Sequence, residues 1–548
     1  MDEKRFNSIL FPKLSNAQIA QIEKFAQLKL YRDGEIICEV GDRDFCFSVI
    51  KSGKMAIVDR SGGEEKIMAV AQEKQFTGDV SLLTGDLAVV SAIAQGDCEV
   101  YEVASADFRQ ILRENSSLSD IIIQAFIARR QYLEELEDFT GLRVIGSRFS
   151  RDTFRIRDFL AKNRVLFTWL DLEDHQQVDM LLRQLQISEA DTPVVAYGTQ
   201  WILKNPSTTE LVERLGIKKP IQETLYDLAV VGAGPAGLAA AVYGASEGLN
   251  TIVLEHIAPG GQAGTSSKIE NYLGFPTGIS GSDLANSAVL QANKFGARLA
   301  IPCEVVKLAF EDGIAVLHLG SGEQVAAKCV LIATGVEYHK LNVEGRDRFD
   351  GAGIYYAATT TEAQMCSGSQ VAVVGAANSA GQAAVFLAEQ VEKVWLLIRG
   401  DDLEKSMSRY LIRRIEQIDN IELLCNTEIS EFGGDDCLRS IKVSNHKTGE
   451  TRSLDVNAVF TFIGAVPRTD WLSQALETDD KGFIKTGLAV ANSAGWLSAQ
   501  RQPFLLETSR PGIFAAGDVR LGSVKRVASA VGEGSMAVQF IHQYLASI

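Results

Sequence analysis

"YDLAVVGAGPAGLAAAVYGASEGLNTIVLE", Tyr226 to Glu255, decides the fold. An apolar run leads into a glycine turn, a stretch of small residues and a second apolar run, the pattern of strand, turn, helix, strand. Gly232, Gly234 and Gly237 satisfy G-x-G-x-x-G in that context. The first two glycines allow a tight turn and close backbone approach to a pyrophosphate. Pro235 and Ala236 open a helix whose unpaired N–H groups and dipole favour the same anion. Glu255 closes the second strand, where a carboxylate can accept from ribose hydroxyls. These residues together predict an α/β dinucleotide-binding unit.

A second copy begins at Gln370: "QVAVVGAANSAGQAAVFLAEQVEKVWLLIR". Gly375 keeps the turn, but Ala377 and Ala380 occupy the second and third glycine positions, with Asn378 and Ser379 between them. The predicted second strand ends at Arg399 and not at an acid, which suits a 2′-phosphate and hence NADPH over NADH. Asp401, Asp402 and Glu404 stand nearby.

The surroundings fit an intracellular chain of several domains. At 548 residues, roughly three to four domains are expected. Hydrophobic residues make up 46% and charged residues 23%, ordinary for a protein with buried cores. A formal charge of -16 argues against nucleic acid or an anionic membrane as a general partner. The opening "MDEKRFNSIL" lacks the apolar segment of a signal peptide, and no apolar run approaches the roughly 20 residues that span a bilayer. A cytoplasmic location is expected. The eight cysteines form no C-x-x-C and no zinc-ligand spacing. The six histidines are scattered, so neither a metal site nor a Ser-His-Asp arrangement is predicted.

From about residue 224 to the end, the chain resembles thioredoxin reductase, in which an FAD domain is interrupted by an NADPH domain. "APGGQAG" and "IENYLGFP" resemble its flavin-wrapping loop, which implies Gly261, Gln262 and Asn271 near FAD. "VLIATGVEYHKLNVEG", with Ala333, Thr334 and Gly335, resembles the first interdomain crossing, and "FIGAVPRT" the return. "PGIFAAGDVR" puts Gly517 and Asp518 at the ribityl chain. "KRVASAVGEGSMA" begins a helix at Arg526, Val527 and Ala528 that can face the flavin ring. The resemblance also implies a homodimer.

Residues 1 to about 138 read as short strands with glycine turns, a small β-roll, followed by a helix over "SSLSDIIIQAFIARRQYLEELED" with Ser116 or Ser117 as its cap. With the cassette "FTGDVSLLTGDLAVVSA", Phe76 to Ala92, this resembles a cyclic-nucleotide-binding domain. That likeness makes Gly78 and Asp79 candidate ribose contacts, while Ala88 stands where the phosphate-binding arginine belongs. Residues 139–220 read as β-α-β-α-β-β-α and resemble a thioredoxin or glutaredoxin unit, with Thr192-Pro193 at the family's cis-proline. Its redox cysteines belong near Ser147 to Thr153, yet "SRFSRDT" has none. The expected order is therefore a β-roll domain (1–138), a thioredoxin-like domain (139–220), an FAD domain in two parts (221–338 and 467–548) and an NADP domain between them (339–466).

The same absence recurs in "GIYYAATTTEAQMC", Gly353 to Cys366. The likeness places Ala357 and Thr360 at the redox cysteines of thioredoxin reductases, where a helix start would activate a thiolate. Thr359 and Glu362 form a capping box in their place. Cys366 reads as a core residue. The leading expectation is an oxidoreductase passing electrons from NADPH to FAD to an unknown acceptor: oxygen, a quinone-like molecule or a partner protein. No catalytic acid or base is assigned. Two rivals stay open: a flavin- or nucleotide-binding regulator without turnover, and a thioredoxin-disulfide reductase using thiols supplied in trans.

Overall fold

The computed structural model describes residues 8–60, 65–135, 141–173, 178, 182, 187–188, 191–197, 200–221, 225–266, 268–435, 437–472, 475–497 and 501–548. They fall into two compact units.

The first unit takes residues 1–146, 164–220 and 289–298. Two antiparallel four-stranded sheets form the β-roll. One runs Gln27–Tyr31, Cys98–Val103, Phe47–Ser52, Phe76–Thr77; the other Ile36–Cys38, Ser91–Ala94, Lys54–Asp59, Lys66–Gln72. Inward residues from both sheets, among them Ile50, Met55, Ala92 and Val100, make one apolar core. A second core gathers the rings of Phe47, Phe76, Phe108 and Phe126, with Phe47 stacked on Phe108 at 4.5 Å. The helix Ser116–Glu135 starts directly after the helix Ser105–Glu114. Both predicted cap serines therefore lie inside it, and its first turn starts at Asn115, whose carbonyl accepts from Ser119 N–H.

The same unit carries a sheet in the order Phe167–Leu170, Leu142–Ile145, Val194–Tyr197, Trp201–Lys204, its first pair parallel. The Thr192–Pro193 bond is cis, as expected. Ser207 caps the helix Thr208–Arg214 with a full capping box. The predicted helix "HQQVDMLLRQLQI" lies largely outside the described residues; its Val178, Leu182 and Ile187 pack in an apolar cluster with Ile145 and Val194.

The second unit takes residues 147–163, 221–288 and 299–548. It begins with helix α1 (Arg151–Lys162), capped by Ser150. Its first sheet has a parallel centre, with β1 (Leu225–Val231) between β2 (Thr251–Leu254) and Gln324–Ile332, and Ile513–Ala515 on the far side of the latter. Burial on both faces explains the nearly unbroken apolar runs. Helix α2 (Pro235–Ser246) crosses between β1 and β2. The second sheet is parallel throughout: Ile354–Tyr355, Ala458–Thr461, β3 (Gln370–Val374), β4 (Lys393–Leu397), Ile421–Leu424. Helix α3 (Thr360–Met365) precedes β3, α4 (Asn378–Ala388) joins β3 to β4, and α5 (Arg409–Glu416) follows β4. The crossings Val336–Tyr338 and Ala465–Pro467 pair antiparallel between the two halves. The chain closes with helix α6 (Val527–Leu545). Gly534 lets α6 meet α2, since a Cβ there would lie 2.1 Å from the Ala236 carbonyl oxygen. Among the described residues no helix is long and apolar enough to cross a membrane.

Candidate functional site

The turn after β1 is held open by geometry that only glycine satisfies. Gly232 has φ +104°, and a Cβ on it would lie 2.4 Å from the Ala333 carbonyl oxygen. At Gly237 it would lie 1.9 Å from the Gly232 carbonyl oxygen, so the helix start presses directly on the turn. Gly234 is different. The nearest atom to its absent Cβ is Gly261 Cα at 3.9 Å, leaving room above the turn. Gly234 also caps α2 without any side-chain hydrogen bond, so the first N–H groups of the helix are not taken by a cap. Glu255 reaches across, accepting from Ala233 N–H at 2.7 Å and Ile257 N–H at 3.1 Å. Room, uncapped donors and a fixed acid fit the pyrophosphate and ribose of a dinucleotide.

The other residues expected around FAD approach this turn. Gly261, in the short helix Gly261–Gly264, packs against Gly234, and Gln262 donates to Val336 O at 3.3 Å. Asn271 lies on an exposed loop beyond it. Ala333 N–H donates to Val231 O. Thr334 Oγ1 donates to Arg468 O at 3.0 Å, and Arg468 N–H returns to Gly335 O, tying the two crossings together. At the far end of the site, Gly517 N–H donates to Glu533 of α6 at 2.7 Å, and Arg520 Nε holds the same carboxylate at 3.2 Å. Burial raises the pKa of Asp518, against the pull of Lys525. Arg526 caps α6 without a side-chain bond, so Val527 and Ala528 begin the helix with open N–H groups.

The second turn keeps the same plan. A Cβ on Gly375 would lie 2.5 Å from Phe462 O, and Ala377 caps α4 without a side-chain bond. Ala377, Asn378 and Ser379 are exposed, while Ala380 is buried under the turn. Sequence reading missed a clasp: Asn378 Oδ1 accepts from Ser408 N–H at 2.8 Å and Oγ at 2.9 Å, and Ser406 Oγ donates to Ala376 O at 2.8 Å. Strand β4 ends at Leu397, so Arg399 is two residues beyond it and not its last residue. Its side chain is 78% exposed, and its nearest acid is Glu428 at 3.8 Å. A solvent-facing guanidinium at this place fits a 2′-phosphate.

The stretch Gly353–Cys366, where the resemblance leads one to expect a disulfide, is ordered by its own polar groups. Glu362, 3% exposed, accepts from Thr359 N–H at 2.8 Å and from the Thr359 hydroxyl. Burial raises its pKa, with the Thr359 hydrogen bond opposing and Asp158 of α1 adding to the rise. Ala358 bridges to Ser266, which sets the stretch beside the loop of Gly261 and Gln262. Cys366 is 3% exposed, and burial, reinforced by Glu362, pushes its thiol up to about 12. Iodoacetamide at neutral pH is therefore expected to leave Cys366 unmodified in the folded protein and to label it after unfolding, as read by peptide mass spectrometry.

Helix α1, which follows the residues where the thioredoxin resemblance leads one to expect cysteines, packs on this same stretch. Phe154 lies 5.1 Å from the Tyr355 ring, and buried Arg157 reaches Gln364 Oε1 at 3.4 Å. Phe149 lies under Arg439 at 5.4 Å. Both regions where sulfur was expected and is missing thus lie at one contact.

In the first unit, Gly78, Asp79 and Ala88 line one cavity. Asp79 caps the helix Val80–Thr84, accepting from Ser81 N–H at 3.0 Å. Arg129, which the cassette does not contain, lines the same cavity. Among the described residues no group of three or more metal-ligating side chains comes together.

Comparison with known proteins gives two family matches: Pyridine nucleotide-disulphide oxidoreductase over residues 226–534 and Cyclic nucleotide-binding domain over residues 28–115. Thioredoxin reductase of Treponema pallidum (strain Nichols) is 35% identical over 323 residues, 59% of this chain and 98% of that protein. The crystal structure of Lactococcus lactis thioredoxin reductase is similar with a TM-score of 0.53 and 27% identity, over 59% of this chain and all of that one. The T. acidophilum thioredoxin reductase structure gives 0.53 and 29%, over 59% of this chain and 99% of its own.

Proposed function

The chain belongs to the pyridine nucleotide-disulphide oxidoreductase family, and from that premise we propose that it moves electrons from NADPH through FAD to an acceptor outside its own polypeptide. FAD supplies the hydride and electron chemistry when bound. The chain's residues bind and orient: the turn of Gly232 to Gly237 takes the pyrophosphate, Glu255 the ribose, and the Gly517-Asp518 turn with the start of α6 the flavin end. The turn of Gly375 to Ala380 takes the nicotinamide dinucleotide, with Arg399 on its 2′-phosphate. One observation carries the departure from a disulfide relay. Beside the flavin loop stand Ala357-Ala358-Thr359-Thr360, and Cys366 is buried, which pushes its thiol up to about 12. A thiol relay needs a thiolate.

The test is anaerobic addition of NADPH to the FAD-loaded protein. Bleaching of the flavin absorbance, followed by its return on adding oxygen or a quinone but not a disulfide, supports the reading. No bleaching with NADPH or NADH would leave the regulator in its place, and return on adding a disulfide alone would favour thiols supplied in trans. Arg399→Glu is expected to raise KM for NADPH about tenfold, the loss of roughly one charge-assisted hydrogen bond. KM for NADH should change little, so steady-state kinetics with both nucleotides checks the assignment.

A further inference from the structure

The β-roll cavity is lined mostly by apolar side chains. Its walls are Phe11, Phe45, Ile57, Met68, Ala88 and Val90, with the thiols of Cys38 and Cys46 among them. Burial raises the pKa of both thiols, Cys38 to about 12, so they line the cavity as neutral, polarizable groups. A cyclic phosphate needs a cation, since a buried anion without one is costly. Ala88 offers none, and its backbone is engaged on both sides: Ala88 N–H donates to Asp42 O, and Ala88 O accepts from Gly41 N–H, each at 2.8 Å. Ser91 Oγ, three residues on, accepts from Val40 N–H.

Arg129 lines the cavity, but three of its five N–H donors already serve backbone carbonyls. Arg129 donates to three carbonyls, Leu10 at 2.8 Å, Gly78 at 2.6 Å and Phe76 at 2.9 Å, and lies against the rings of Phe11, Phe76 and Phe126. Its role is to tie the helix Ser116–Glu135 to the cassette. Arg130 donates to Arg164 O at 2.5 Å and faces Asp79 at 3.8 Å. Asp79 itself puts a carboxyl group in the wall, its pKa raised by burial against the pull of Arg130. Rings, a thioether and neutral thiols are the surfaces that aromatic rings pack against well.

We infer that this cavity binds an uncharged aromatic small molecule and does not bind a cyclic nucleotide. The probe is N-phenyl-1-naphthylamine, neutral and fluorescent in apolar surroundings, titrated into the full-length protein. Saturable binding with a roughly micromolar Kd is expected, undisturbed by millimolar cyclic AMP or cyclic GMP. Ala88→Arg, which puts a guanidinium into the cavity, should weaken the probe about tenfold. Ala69→Phe, on the strand Lys66–Gln72 that walls the cavity, should do so by filling it, and it carries the test if Ala88→Arg fails to fold by circular dichroism. Displacement of the probe by either cyclic nucleotide would overturn the inference. So would unchanged probe binding in the folded variants, or no saturable binding in the wild type.

Discussion

Gly232→Val is expected to yield folded protein without flavin. Valine at φ +104° is strained, and its Cβ would lie 2.4 Å from Ala333 O and 3.1 Å from Thr334 Cα, both backbone. Backbone on that side cannot swing away as a side chain could, because Ala333 N–H is bonded to β1 and Thr334 to the return crossing. The turn itself must open, and the helix start that Gly237 presses on it moves with it. A loss of at least about 100-fold in FAD affinity follows, near 2.7 kcal/mol. The ratio of flavin to protein absorbance after purification measures it. Gly248→Val is the control. Gly248 also has positive φ, at +91°, but open space around it, so this variant meets backbone strain without a collision and should keep its flavin. Equal loss in both variants would mean that destabilisation, and not the turn, empties the site.

That contrast also explains what the sequence revealed. The first dinucleotide turn shows itself in sequence as three glycines at fixed spacing between two apolar runs, plus one carboxylate at a fixed distance along the chain, although part of what demands the glycines, Ala333 against Gly232, lies about 100 residues away. The interdomain crossings were legible only through the resemblance, since Val336–Tyr338 and Ala465–Pro467 pair across about 130 residues. The clasp of Ser406 and Ser408 on the second turn joins residues 30 apart through a loop with no periodic signal. Arg129 is further still from the cassette, and its partners are backbone carbonyls that carry no sequence signature. The pair Arg129-Arg130 within an otherwise apolar stretch of helix was the available signal, because a buried arginine must find acceptors. The contact of α1 with Tyr355 and Gln364 joins segments some 200 residues apart, and nothing in "RDTFRIRDFLAKN" marks its partner. Each half of the missing sulfur pathway was readable alone; their meeting needed coordinates.

Restoring the two cysteines tests whether only sulfur was lost. Ala357→Cys with Thr360→Cys places one thiol at the first residue of α3, where a helix N-terminus favours the thiolate, and the other three residues before it. The stretch stays beside the flavin loop through the Ala358–Ser266 bridge, which neither substitution touches. Glu362 works against thiolate formation while ionised, but burial already raises its pKa. NADPH-dependent reduction of 5,5′-dithiobis(2-nitrobenzoate) should rise on the order of 100-fold over wild type, a barrier change of about 2.7 kcal/mol. Each single variant should gain little, because a two-electron relay needs the disulfide to form and break within the pair. A protein disulfide is expected to remain a poor substrate of the double variant. Phe154 and Arg157 of α1 occupy the face of Tyr355 and Gln364 that it would have to approach. Adding Phe154→Ala should then raise the rate with thioredoxin more than the rate with the small reagent. No gain in the double variant would mean that the geometry around the flavin changed along with the cysteines. A gain with thioredoxin equal to that with the small disulfide would mean that α1 blocks nothing.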